Sequence, residues 1–270
     1  MAALFILAVS CGQNKAQKAL VLYYSQLGNT KAVAEQIQAA TGADIEEIVP
    51  VIPYDGDFMA TIERGRKELE EGTVPEIQPV KADLADYDVV FLGFPVWFGT
   101  CANPVLTVLS ELDFSGKKIV PFCTFGSGGL DSSVAAIKEK QPDAEILPGY
   151  GVRAARIEAV PAELDRFLKA GGFIEGEYVV PGEFSEEHDA SAEEAAIFDA
   201  AVGDYPMMHA RATKVASREV PGGVEYLFTA EDLPREGAPA APDPAMPPRA
   251  LKVYVLAEDG QAPVFTQVIR

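Results

Sequence analysis

The chain is poor in the residues that build metal centres and charge relays: its 270 residues include two histidines, three cysteines and one tryptophan. Cys11, Cys101 and Cys123 form no Cys-x-x-Cys pair, which argues against a metal cluster. His188 and His209 stand in no ligand or triad spacing, and read as a linker residue and a strand-edge residue. Basic side chains are also scarce. Only 22 face 41 acidic ones, for a net charge of −19, and such a field repels nucleic-acid phosphate and anionic lipid while favouring a basic protein partner. No apolar run approaches the roughly 20 residues that a membrane-spanning helix needs. A Gly-x-Gly-x-x-Gly nicotinamide fingerprint is missing after the first apolar strand. What remains is a chain long enough to bury a core without staples.

Its N-terminus differs from all that follows. Ala2 to Val9 is a short apolar segment ending in Ser10-Cys11-Gly12, the length of a secretory signal core. "LAVSC" resembles the lipobox of bacterial lipoproteins, which implies that Cys11 is lipidated after cleavage and that residues 1–18 are signal and tether at the cell envelope. No Lys or Arg precedes the run, where such signals are normally positive. The alternative is a non-secreted N-terminus and a cytoplasmic protein.

From Lys18 to about Gly172, short apolar strands alternate with helical patterns, the signature of an α/β parallel sheet covered on both faces. The expected strands are Ala19 to Tyr24, Asp44 to Val49, Val89 to Phe94, Lys118 to Thr124 and Glu145 to Val152, the last interrupted at Pro148-Gly149. Helical spacing falls on Thr30 to Ala40, Thr61 to Glu70, Pro104 to Leu112, Ser132 to Lys140 and Pro161 to Ala170. The boundary is placed near Gly176, giving domains 19–176 and 177–270. In the second, a helix over Ala192 to Val202 precedes two hairpins: Ala210 to Val220 with Val224 to Ala230 around Pro221-Gly222-Gly223, and Leu251 to Ala257 with Pro263 to Ile269 around Asp259-Gly260. This predicts an α+β domain of one helix and four antiparallel strands. Pro234 to Arg249 is too rich in proline for helix or ladder.

The chemistry-bearing residues lie after the strands of the first domain. Ser25-Gln26-Leu27-Gly28-Asn29-Thr30 links the first strand to the first helix. Hydroxyls at Ser25 and Thr30, a permissive Gly28 and the Asn29 amide would hold a phosphate at a helix N-terminus without charge. The same Gly and Asn also suit a plain strand-to-helix turn. The loop resembles the first loop of the flavodoxin family, approximately Thr/Ser-x-Thr-Gly-Asn-Thr, which wraps the phosphate of FMN. Leu27 stands where the family usually has Thr. Two later stretches, "GFPVWFG" and "PFCTFGSGG", look closest to a bacterial flavodoxin group reading Gly-Tyr-Pro-Ile-Trp-Trp and Thr-x-Gly-Gly-Ser-Gly.

The resemblance implies a flavodoxin-like three-layer sandwich with a five-stranded parallel sheet of order 2-1-3-4-5. It also implies FMN between the first and third strands, where the winding reverses. Pro95, Val96, Trp97, Phe98 and Gly99 would flank the flavin ring, Trp97 covering a face and Gly99 turning its peptide near N5. Thr124, Phe125, Gly126, Ser127 and Gly128 would border its pyrimidine edge. The expected function is FMN-dependent electron transfer to a basic redox protein. A quinone or small-molecule reductase, and a cofactor-free binding module, are the alternatives. Cys101 and Cys123 read as two buried thiols, with a redox disulfide as the alternative. "ATKVASREVPGGVEYLFTA" and its neighbours resemble a small cystatin-like domain.

Overall fold

A computed structural model describes residues 17–55, 58–203, 205–206, 208–233 and 250–269. Cys11 with the lipobox, and the proline-rich segment 234–249, lie outside the described residues. The chain divides into two compact units, one ending at Tyr178 and the next beginning at Val179.

The first unit is a parallel sheet between two helical layers. Its strands are β1 (Ala19–Tyr23), β2 (Asp44–Glu47), β3 (Val89–Trp97), β4 (Thr100–Cys101), β5 (Lys118–Phe125), β6 (Glu145–Ile146) and β7 (Tyr150–Arg153). The order is β2-β1-β3-β5-β6, with β7 also paired to β5 and the short β4 to β3. β6 and β7 lie parallel to successive parts of β5, at Lys118–Ile119 and Phe122–Phe125. They are one interrupted fifth strand, broken at the Pro148-Gly149 step read from the sequence. Counted so, the order is 2-1-3-4-5.

Side chains of β1 alternate between two cores. Leu20 and Leu22 join Val105, Leu109 and Ile137 of α3 (Asn103–Glu111) and α4 (Leu130–Lys140) on one face. Val21 and Tyr23 join Ile37 and Leu164 of α1 (Asn29–Thr41) and α5 (Val160–Ala170) on the other. Burial on both faces is why these strands read as continuous apolar runs. α1 buries Thr30, Val33, Ala34 and Ile37 at helical spacing. It stops where Gly42, at φ 71°, turns its N–H back to the carbonyl of Gln38.

Strand limits shift in two places that matter. β3 runs on through Pro95-Val96-Trp97, which the sequence placed in a loop, then turns tightly at Phe98-Gly99 and returns as β4. Likewise β5 runs through Thr124, its expected end, to Phe125, so the third loop begins at Gly126 rather than Thr124.

The second unit holds α6 (Ala192–Val202) against an antiparallel sheet of order β12-β11-β10-β9-β8. Its strands are β8 (His188–Asp189), β9 (Ala210–Val220), β10 (Gly223–Asp232), β11 (Ala250–Glu258) and β12 (Val264–Ile269). Both hairpins are present, and the sheet has five strands rather than the expected four. The fifth is β8, which takes His188 out of the linker and sets it opposite Val215. Pro221 and Gly222, the latter at φ 83°, make the β9–β10 turn, Pro fixing one φ and Gly supplying the positive one.

Gly93 of β3 leaves room for the buried Phe122 of β5: a Cβ there would lie 2.1 Å from the ring's Cζ. Gly93→Ala is expected to lower stability to urea by about 1 to 3 kcal/mol, the usual cost of overpacking. Adding Phe122→Leu should recover part of the loss.

Candidate functional site

The carboxyl ends of β1, β3 and β5 lie side by side, with Tyr23 opposite Gly93 and Pro95 opposite Thr124. The three loops that follow therefore emerge at one edge of the sheet, and specific contacts bind them together. Thr30 Oγ1 and Thr124 Oγ1 share a buried hydrogen bond of 2.9 Å, joining the first loop to β5. Gly129 packs so closely on Val96 that a Cβ at Gly129 would lie 2.5 Å from its Cγ1. The Ser132 hydroxyl donates to the Gly99 carbonyl.

In the first loop the Ser25 hydroxyl oxygen accepts the N–H groups of Gly28 at 3.1 Å and Lys31 at 3.2 Å. Its own O–H stays available to donate. Gly28, at φ 88°, opens α1 in a left-handed conformation. The N–H groups of Asn29 and Thr30 come next; they have no intrahelical acceptor and project from the same helix end. An anion held there would meet backbone donors, a hydroxyl and the helix dipole. The Thr30 side chain is not one of those donors in the expected sense, since it is buried and paired with Thr124. Leu27 points outward, 81% exposed. Gln26 donates to the Tyr54 carbonyl and accepts from the Tyr24 hydroxyl.

The second loop is a hairpin tip. Phe98 at φ 51° and Gly99 at φ 80° take the two positive φ values of a type I′ turn. Phenylalanine is costly in this conformation, by about 1 to 3 kcal/mol. Trp97 packs edge-on against Tyr54 and Tyr24, at centroid separations of 5.0 and 5.7 Å.

Below these rings lies a polar network that sequence reasoning missed. It belongs to the segment after β2, to α2 (Phe58–Glu70) and to α3. Glu68 accepts from Tyr54 Oη, from Arg64 Nε at 2.9 Å and from Asn103 Nδ2 at 2.7 Å. Arg64 caps the Tyr54 ring at 3.8 Å and donates to the carbonyls of Ile52 and Pro53. Burial, then the bond to Glu68, pushes the Tyr54 hydroxyl pKa well up, and burial does the same for Tyr24. Both phenols stay neutral. The signal available was positional: Tyr54 follows the second strand at the same sheet edge, and Arg64 and Glu68 are one helical turn apart.

In the third loop Gly126 accepts from Arg153 Nε at 3.0 Å, while Ser127 and Gly128 lie half-buried beside it. Cys101 and Cys123 are buried free thiols, as expected. Burial raises Cys101 to about 12 and Cys123 well above its usual value. His188 pairs with Glu194 at 3.0 Å in the second unit and His209 is exposed beside β9.

A profile described as flavodoxin matches residues 18–163, more than half of the chain. Among curated proteins, the flavodoxin-like domain-containing protein BilS of Clostridioides difficile is 29% identical over 159 residues, 56% of this chain and 74% of that one. A candidate flavoprotein of Bacteroides uniformis with a solved structure is 26% identical at TM-score 0.50, covering 56% of this chain and 99% of its own. A Lactobacillus acidophilus flavoprotein solved in complex with FMN is 25% identical at TM-score 0.46, covering 55% and 97%.

Glu68→Gln should shift Trp97 emission to the red and lower stability by about 1.5 to 3 kcal/mol, the range for hydrogen bonds to charged groups. Iodoacetamide at pH 8 should leave Cys101 and Cys123 unlabelled in the folded protein and label both in guanidinium, as read by mass spectrometry.

Proposed function

The chain belongs to the flavodoxin family, and we propose on that premise that it binds FMN at the three-loop edge and passes electrons to a partner at the cell envelope. The observation that carries this reading is the N-terminus of α1, where the N–H groups of Asn29 and Thr30 project beside the Ser25 hydroxyl at the junction of β1 and β3. These residues fit a phosphate ester. Backbone donors tolerate the loss of the hydroxyl at Leu27, and Gly28 lets the chain come close without a side chain in the way.

FMN, when bound, supplies the one- and two-electron chemistry. The chain's own residues would position and tune it. Trp97 would present an aromatic face, held by Tyr24 and Tyr54. The Gly99 peptide, at positive φ and free of a side chain, would turn toward the ring. Thr124 and Phe125 lie in β5, so the pyrimidine edge would be bordered by the backbone of Gly126, Ser127 and Gly128. A net charge of −19 disfavours added negative charge on the ring and so favours a low-potential donor. Cys11 would carry the lipid anchor, and the second unit is read as a cystatin-like appendage. Among the described residues, no helix is long and apolar enough to cross a membrane.

Titration of the purified chain with FMN is expected to give a perturbed visible flavin band, weakened in Trp97→Ala. Absence of both the band and the quenching of FMN fluorescence would refute the cofactor reading and leave a binding protein. Leu27→Thr should tighten FMN binding about fivefold, the worth of one hydrogen bond of about 1 kcal/mol.

A further inference from the structure

The two faces of the antiparallel sheet in the second unit carry different chemistry. On one, Val215, Phe228 and Val253 pack with Phe198 of α6. Alternation sets Lys214, Thr229 and Lys252 side by side on the other, with Leu227 and Tyr254 in the next row. Across that second face runs a strap of chain, residues 182–187, just before β8. Its Phe184 lies edge-on to Tyr254 at a centroid separation of 6.1 Å and 4.4 Å from the Arg218 guanidinium. Three residues on, the Glu187 carboxylate accepts from Lys252 Nζ at 2.7 Å and from Thr229 Oγ1, and stands 3.8 Å from Lys214 Nζ. Between the two, Ser185 donates its N–H to the Ser217 carbonyl of β9, and its hydroxyl oxygen accepts the Ser217 N–H.

The strap fills a site that the sheet builds. Three adjacent strands each contribute one donor to a single carboxylate, and Tyr254 with Arg218 receives a single ring. The sheet does not match these lysines itself. Of the carboxylates on this face, Glu231 and Glu225 are paired with Arg211 and Arg218, and Glu258 lies at the far end of β11 from Lys252. Asp189, opposite Lys214 in register, is the one that stays beside the row. With the strap lifted away, taking Glu183, Glu186 and Glu187 with it, two ammonium groups would face one carboxylate, in a chain of net charge −19. The strap in turn gives little to the fold. Among the described residues, the core of the second unit takes no side chain from 182–187, and Glu183, Ser185, Glu186 and Glu187 are all exposed.

We propose that this face is a docking site for an extended acidic segment of another protein, one that carries an aromatic side chain three residues before a carboxylate, and that residues 182–187 occupy it in cis. The ring would take the place of Phe184 and the carboxylate that of Glu187. An extended segment fits because the strap pairs its backbone with β9, and a strand-like ligand repeats that pairing. A basic segment would meet two lysines, and a small anion without a ring would leave Tyr254 bare. The inference concerns the second unit and stands whether or not FMN binds.

The test follows the fluorescence anisotropy of a labelled peptide of residues 182–190 added to the purified full chain. A tethered strap competes at a local concentration on the order of millimolar. The unaltered chain is therefore expected to bind the peptide at least tenfold more weakly than Phe184→Ala/Glu187→Ala, whose thermal midpoint should stay within a few degrees of the unaltered value. In that background Lys214→Ala/Lys252→Ala should abolish saturable binding, and Lys138→Ala, an exposed lysine of α4, should leave it unchanged. Peptides carrying Phe184→Ala or Glu187→Gln should bind at least tenfold more weakly. A second peptide that keeps only the aromatic residue and the carboxylate at that spacing, on a serine and threonine background, should bind within threefold of the first. Silence of this second peptide beside binding of the first would make the contact private to this chain and overturn the proposal. So would a strap variant that fails to fold, that binds no peptide, or that binds no better than the unaltered chain.

Discussion

Parallel pairing of β1, β3 and β5 is the constraint on which the first unit depends. Parallel neighbours cannot be joined by a hairpin, so each connection must cross a face of the sheet as a helix. Every strand then ends at the same edge. That single requirement accounts for the two buried cores, for the unbroken apolar runs and for the meeting of three loops separated by long stretches of chain. The Thr30–Thr124 bond and the close fit of Gly129 on Val96 fix the meeting point to within atomic contact.

Around that point the site is built in two tiers. Backbone amides, a hydroxyl and aromatic rings face outward and carry no formal charge. Beneath them, Glu68 gathers three donors and holds Tyr54 against Trp97. A carboxylate that accepts from three side chains fixes the orientation of all of them, and through Tyr54 that of Trp97.

Much of this was legible in the sequence because its causes are local. The β/α alternation, the helical spacing of Val33, Ala34 and Ile37, the Pro148-Gly149 break and the Pro-Gly and Asp-Gly turns each follow from residues adjacent in the chain. The glycine-opened turn from β1 into α1 was legible for the same reason. The Glu68 network was not, since its members come from three segments and become neighbours only through packing. The hairpin at Phe98-Gly99 was hidden because phenylalanine is a poor signal for a type I′ turn. β8 was hidden because two residues are too few to show alternation, and only its partner β9 makes them a strand.

The two units also differ in how far apart their paired residues lie along the chain. In the second, β9 is joined to β10 by a two-residue turn, and Ser191 and Glu194 cap α6 reciprocally, with Glu194 reaching His188 of β8. In the first, Ala19 must find Val89 before the centre of the sheet exists. Low contact order favours rapid formation, and long loop closures delay it. The antiparallel unit is therefore the quicker folder although it follows the parallel unit in the chain. The parallel unit has β2 to cover one edge of its apolar β1, but the other edge stays open until β3 has followed.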